Sequence, residues 1–306
     1  MAGDKLYPPR DLIGFGPEPP DPQWPNGARL AVNFCINYEE GGELCLSNGD
    51  DCSETRLSDL TVDAKIGERD LNMESNYEFG SRVGFWRIMK AFQERGLPAT
   101  VNLVGRAGEQ NPPALSAIKN SGFDIQCHGW RWIDHHGLDE AIERDHIARC
   151  IAQAKKLTGE EPLGYYAGMP SRNTRRLVIE QGDFLYDSDC YNDELPFWSR
   201  DYGRPHLIVP YSLDTNDSRF TFGVGYRVAE EFVTYIKDSF DCLYGEGLTH
   251  PKMMTIGLHG RLIGRPGRIG ALYRILDYIQ SRREIWICRR GDLAKHWIKM
   301  HPPAEG

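Results

Sequence analysis

The 306-residue chain has no apolar run long enough to span a bilayer, and its opening residues lack the apolar core of a secretory leader. Met1 to Asp21 is polar and rich in proline, so a cytoplasmic location is expected, with no membrane partner. Positive charge is not in excess. Thirty-six Lys+Arg against 44 Asp+Glu leave a formal net charge of -8, which argues against a nucleic-acid partner. The arginine pairs 175–176, 282–283 and 289–290 read as solvated helix ends or surface ion pairs. Eight cysteines, at 35, 45, 52, 127, 150, 190, 242 and 288, form no CxxC knuckle or zinc-finger spacing. They are expected to be reduced, with Cys35, Cys127 and Cys288 packed as small apolar groups. A tight GxGxxG turn after a strand and a GxxxxGKS or GxxxxGKT phosphate loop are both missing, which removes the dinucleotide and P-loop readings.

What is present alternates. Apolar, β-branched or aromatic runs recur at 30–37, 99–104, 123–127, 163–167, 184–187, 207–211, 253–258 and 285–288. Helical periodicity fills 82–95, 139–158, 173–181, 226–244, 268–281 and 291–298, and Asn111-Pro112 has the composition of a helix start. Eight strand-like runs separated by helices predict an α/β fold of barrel type, with a doubly wound open sheet as the alternative. The stretch from Gly42 to Ser81 is polar and too long for an ordinary βα connection. Residues 1–28, rich in proline and glycine around Trp24, read as an extended arm anchored by its tryptophan. Residues 29–306 read as a single catalytic domain.

The chemistry-bearing residues sit where predicted strands run out. Asn37-Tyr38-Glu39-Glu40-Gly41-Gly42-Glu43 follows the first strand, and Leu258-His259-Gly260 ends the seventh. His128-Gly129-Trp130-Arg131-Trp132, Tyr165-Tyr166-Ala167-Gly168 and Tyr186-Asp187-Ser188-Asp189 close three others. In a β/α barrel those ends meet at one face, where active sites are built. A carboxylate pair with histidine suits acid–base hydrolysis. Neighbouring strand residues point to opposite faces, so Glu39 and Glu40 both enter one pocket only if the strand end bends. Trp130, Trp132, Tyr165 and Tyr166 offer aromatic walls for a flat polar ring. Asp187, Asp189 and Asp217 are placed to orient histidines or to accept from amide N–H groups.

Together with Tyr77-Glu-Phe-Gly-Ser-Arg82 and Gly257-Leu-His-Gly-Arg-Leu-Ile-Gly-Arg-Pro266, these segments resemble the polysaccharide-deacetylase superfamily, the NodB-like carbohydrate esterases. They look most like its cofactor-independent allantoinase branch. The resemblance spans nearly the whole chain and implies a distorted, incomplete TIM-like barrel. It implies hydrolysis of the cyclic amide of allantoin to allantoate in purine catabolism, by a metal-independent homo-oligomer, a tetramer in close relatives. A polysaccharide or peptidoglycan deacetylase, another cyclic imide hydrolase, and a non-catalytic ureide- or sugar-binding protein are the alternatives.

In superfamily deacetylases a Thr-Phe-Asp-Asp pattern supplies the base and a metal ligand; the matching residues here are Asn37-Tyr38-Glu39-Glu40. The usual second motif spaces two histidines by three residues, but the residue four after His128 is Trp132, whose indole offers no lone pair. No metal and no cofactor are therefore expected. The resemblance implies catalytic roles for Glu39, Glu40, His128 and His259, with either glutamate open as the base. Tyr38, Trp130, Trp132, Tyr166, Arg172 and Asp187 are the expected substrate contacts. Close allantoinases carry arginine where Met169 falls, and Arg172 is the expected substitute.

Overall fold

The computed structural model describes residues 7–304. Strand β1, Leu30–Tyr38, is buried along its whole length, as a strand covered on both faces must be. Its two asparagines are satisfied inside: Asn33 Nδ2 donates to the Met254 carbonyl at 3.1 Å, and Asn37 Oδ1 accepts from Asn102 at 2.8 Å. The other strands are β2 Thr100–Leu103, β3 Asp124–Cys127, β4 Gly164–Tyr165, β5 Tyr186–Asp187, β6 Phe197–Ser199, β7 His206–Ile208, β8 Lys252–His259 and β9 Ile285–Ile287. They form one sheet in the order β6-β7-β5-β4-β3-β2-β1-β8, with β9 also paired to β1. Every pairing is parallel except β6 with β7. β1 divides one edge between two partners: Leu30–Val32 meet β9, and Cys35–Tyr38 meet β2. The sheet curls without full closure, a half-barrel whose β8 side carries an isolated bridge between Gly257 and Asn216.

Helices α1 Leu71–Phe79, α2 Phe85–Gln93, α3 Gly105–Gln110, α4 Pro112–Ser121, α5 Glu140–Thr158, α6 Thr174–Gln181, α7 Ala229–Glu246, α8 Pro266–Gln280 and α9 Arg290–Met300 surround the sheet. α5 begins on an Asp139 cap and stops at left-handed Gly159. The Asn111 side chain caps α4 by accepting from Ala114 N–H. Helix α3 lies in no stretch expected to be helical, and two further elements differ from expectation. The stretch 42–81 contains α1, started by Asp70 accepting from Asn72 and Met73 N–H. Only Met73 and Tyr77 of α1 are buried, while Leu71 is exposed, so no full apolar stripe marked it as a helix. β6 is a three-residue antiparallel edge strand, too short to show a period.

The arginine pairs also need correcting. Arg290 is fully buried in the barrel interior and donates to Asn33, Thr255 and Ser188 side chains and to the Val209 and Pro210 carbonyls. Arg175 grips buried Asp187 through two bonds of 2.9 and 3.1 Å. Arg176 and Arg289 form partly exposed ion pairs, and both members of the 282–283 pair are exposed, as expected. Trp24 is buried against Trp286, His296 and Trp297 and donates its indole N–H to the Lys252 carbonyl at 2.9 Å. Among the described residues no helix is long and apolar enough to cross a membrane.

Between α1 and α2 the helix widens into one π turn, Gly80–Gly84. That turn presses on the loop after β8: a Cβ on Gly84 would lie 1.8 Å from the Gly260 carbonyl oxygen. Gly84→Ala is therefore expected to destabilise the fold by about 1–3 kcal/mol or more, read as a lower melting temperature. Gly267→Ala, at a helical site with open space around it, is the control and should melt at or above wild type. Equal melting of the two variants would refute the close-packing account.

Candidate active site

The parallel strands deliver Glu39, His128, Tyr166 and His259 to one end of the half-barrel, around a cavity of about 450 Å³. Glu39 is its centre. Its Oε1 lies 3.2 Å from His128 Nε2 and 3.4 Å from His259 Nε2, and its Oε2 accepts from Arg261 Nη2 at 2.6 Å. Burial opposes ionisation of Glu39, but Arg261 and His259, with hydrogen bonds from both histidines, outweigh it and hold the carboxyl well below the usual range.

Each imidazole is fixed from behind. His128 Nδ1–H donates to the Tyr166 carbonyl at 2.6 Å, and its ring stacks on Tyr166 with centroids 4.9 Å apart. A carbonyl only accepts, so Nε2 is the atom left for the cavity. His259 Nδ1–H donates to Asp217 Oδ1 at 2.6 Å, while Asp217 Oδ2 accepts from the backbone N–H of His259 and Ile263. Burial would lower the His259 pKa, yet Glu39 and Asp217 raise it from 6.5 to about 9. His259 is therefore an imidazolium at neutral pH, its Nε2–H turned to Glu39.

Arg261 is the residue that the sequence reading missed. It is fully buried, bonded to Glu39, 3.4 Å from Glu40 Oε1, and donates from Nε to the Leu57 carbonyl at 2.7 Å. Its guanidinium carbon lies 4.3 Å from the Tyr77 ring centre and 5.4 Å from that of Trp132. Its place in the His259-Gly-Arg segment was visible, but nothing local indicated that it turns inward. Asp217 was legible only as one of several acids able to orient a histidine.

Of the other expected contacts, Trp132 and Tyr166 line the cavity. Glu40 does not: strand alternation carries it to the other side, where its Oε1 packs on the Cα of Gly80, a position at which an added Cβ would come within 2.1 Å. Tyr38 likewise faces the helices, bonded to Ser81 and edge-on to Phe85. Trp130 is covered by the Arg149 guanidinium and abuts Gly105. Asp187 is buried and saturated by Arg175 and by His206 Nε2 at 3.1 Å. Arg172 is exposed outside the cavity. The guanidinium that does reach Met169 belongs to Arg56, from the 42–81 stretch, and it lines the cavity.

A divalent ion does not fit this donor set. Arg261 occupies Oε2 of Glu39 and places a fixed cation beside both glutamates. Trp132 offers a donor where a ligand would need a lone pair. Among the described residues no group of three or more His, Cys, Asp or Glu side chains is arranged to hold a metal ion.

A polysaccharide deacetylase family model matches residues 73–181. A polysaccharide-deacetylase-type protein of Schizosaccharomyces pombe is 38% identical over 97% of this chain and 99% of its own length. The crystal structure of PuuE allantoinase is similar with a TM-score of 0.95 and 49% identity, covering 97% of this chain and 99% of that one. A polysaccharide-deacetylase-type structure from Pseudomonas aeruginosa PAO1 gives 0.94 and 50%, over 96% and 99%. The chain belongs to the polysaccharide deacetylase family.

The His259 geometry makes a stability prediction. Its folded pKa, about 9, lies above the ordinary 6.5, so its contribution is fully present below that lower value and is lost as pH rises through the higher one. Denaturant unfolding from pH 6 to 10 should show wild type losing stability relative to His259→Gln across this window. A pH-independent difference would overturn the assignment of a charged His259.

Proposed function

We propose that this member of the polysaccharide deacetylase family is an allantoinase, opening the hydantoin ring of allantoin to give allantoate. The observation that carries the reading is the convergence of one ionised carboxylate and two imidazole Nε2 atoms on the cavity floor, with Arg261 as the fixed counter-cation. The 49% identity to a structure named as an allantoinase supports the choice of substrate.

In this mechanism water attacks the ring amide carbonyl carbon, and its proton passes to the Glu39–His128 pair. A carboxylate held as acidic as Glu39 is a weak base by itself. With Nδ1–H held by the Tyr166 carbonyl, His128 takes the proton at Nε2, and Glu39 Oε1 at 3.2 Å accepts from the resulting Nε2–H. The tetrahedral oxyanion faces the His259 imidazolium, which stabilises the developing charge. When the C–N bond breaks, His259 Nε2–H protonates the departing ring nitrogen and Asp217 holds the ring in place. Glu40, outside the cavity, acts through Arg261. The proton held by the Glu39–His128 pair then passes to His259, and the new carboxylic acid group releases its proton to solvent, which leaves a carboxylate and an open-chain ureide nitrogen.

Purified protein should convert allantoin to a single product carrying one new carboxylate. Glu39→Gln and His259→Ala should each lose roughly 10²-fold or more in kcat while keeping the wild-type circular dichroism. Acetate release from chitooligosaccharides without allantoin turnover would move the activity to a deacetylase. Near-wild-type turnover by a folded Glu39→Gln protein would sink the mechanism.

Chelation provides an independent check. Because Arg261 sets a fixed cation beside Glu39 and Trp132 stands where a second histidine ligand would be needed, EDTA-treated protein should keep most of its rate. Reversible loss restored by one equivalent of Zn²⁺ or Co²⁺ would refute this.

A further inference from the structure

The cavity contains a cation that this mechanism does not use. Among the described residues lining it, Arg56 is the one arginine or lysine. Its guanidinium is incompletely paired: Nε is 3.4 Å from Glu54 Oε1, an oxygen already accepting from the backbone N–H of Thr55 and Arg56. Nη1 is turned onto the Met169 sulfur, a weak acceptor. Strong donors therefore remain available at the cavity wall.

The turn that presents Arg56 is built for position. Tyr77 donates its hydroxyl to the Arg56 carbonyl at 2.8 Å, and Arg261 donates to the Leu57 carbonyl at 2.7 Å. Arg261 also holds Glu39, so one buried side chain sets both the reacting centre and the Arg56 turn. Leu57 adopts φ +46°, a left-handed conformation that a leucine avoids and that persists only where the surroundings enforce it. The Arg56 and Arg261 guanidinium carbons lie 5.6 and 5.4 Å from the Trp132 ring centre. One is tied to Glu39, and the other lies at the cavity wall.

We infer that Arg56 is the specificity-determining residue of this site. It donates to the carbonyl oxygen of the ureido arm that projects from the ring, while the ring itself lies against Glu39, His128 and His259. The inference rests on the ureide reading above and adds to it which end of the substrate is recognised, and by what. A hydrogen bond from a charged donor is worth about 1.5–3 kcal/mol, or roughly 10- to 100-fold in affinity.

The test compares allantoin with hydantoin, the same ring without the arm. Dissociation constants for both are measured by NMR titration on the turnover-suppressed Glu39→Gln protein and on its Arg56→Ala and Arg56→Lys derivatives. The parent should prefer allantoin by about tenfold or more. Arg56→Ala should abolish that preference, and Arg56→Lys, which lacks the planar fork, should restore only part of it. The Arg56 and Leu57 carbonyls that pin the turn survive both changes, and matching melting curves confirm it. A preference unchanged in Arg56→Ala, or no preference in the parent, including failure to bind either compound, overturns the inference. A preference that depends on Arg56, in a protein whose wild type does not open allantoin, would refute the allantoinase reading and leave Arg56 as the determinant of binding.

Discussion

The buried guanidinium of Arg261 is the interaction on which the rest of this site depends. A fully desolvated cation is tolerable only if its donors and its charge are satisfied together. Glu39 meets it at 2.6 Å, Glu40 stands at 3.4 Å, the Leu57 carbonyl accepts from Nε, and Tyr77 presents its ring face. These partners come from three parts of the chain: the two residues after β1, the 42–81 stretch before α1, and α1 itself. Removing the cation would leave two buried carboxylates facing one another, and burial with their mutual repulsion already raises the pKa of Glu40. Arg261 therefore helps hold Glu39 ionised, while burial and the charge of Glu39 push Glu40 upward.

This arrangement needs the backbone to come unusually close, and glycine is what permits it. The π turn Gly80–Gly84 lies directly on Gly260 and Gly264, and a Cβ on Gly264 would fall 2.4 Å from the Gly84 Cα. Contact at that range fixes the loop after β8, and with it the direction in which His259 and Arg261 leave the strand. A single π turn inserted in a helix at a functional site is a common device. Here it shifts the register between α1 and α2, so that Tyr77 lies beneath Arg261 while Phe85 packs on Tyr38.

Strand ends were legible in the sequence because burial on both faces leaves an unbroken apolar run that stops abruptly. Glu39, His128 and His259 were found that way, and their convergence follows from parallel topology alone. Side-chain direction was less legible. Alternation correctly opposes Glu39 to Glu40, yet a bend bringing both inward was equally open before the structure. Trp130 and Trp132 could not be separated, because the segment after β3 is neither strand nor helix and has no period to read. Arg261, Asp217 and Arg56 depend on contacts between distant segments, such as the 222 positions separating Arg261 from Glu39. No local pattern encodes such a pair. An arginine two residues past a strand is ordinarily solvated, and only the fold shows that this one is not.

A guanidinium in this position also constrains the chemistry. It carries charge but has no open coordination site, so it cannot bind water and lower its pKa as a catalytic zinc does. On the proposed mechanism, activation of water comes from proton transfer to the Glu39–His128 pair, a weaker device. A ring carbonyl whose nitrogen is shared with a second carbonyl, as in a hydantoin, demands less of the nucleophile than an acyclic acetamide. Its departing nitrogen leaves as a ureide and needs a proton from a group that is charged at neutral pH. His259, raised to about 9 by Glu39 and Asp217 against the effect of burial, is in that state. On the proposed reading, the cation that displaces a metal from the site narrows the substrate to one that does not require it.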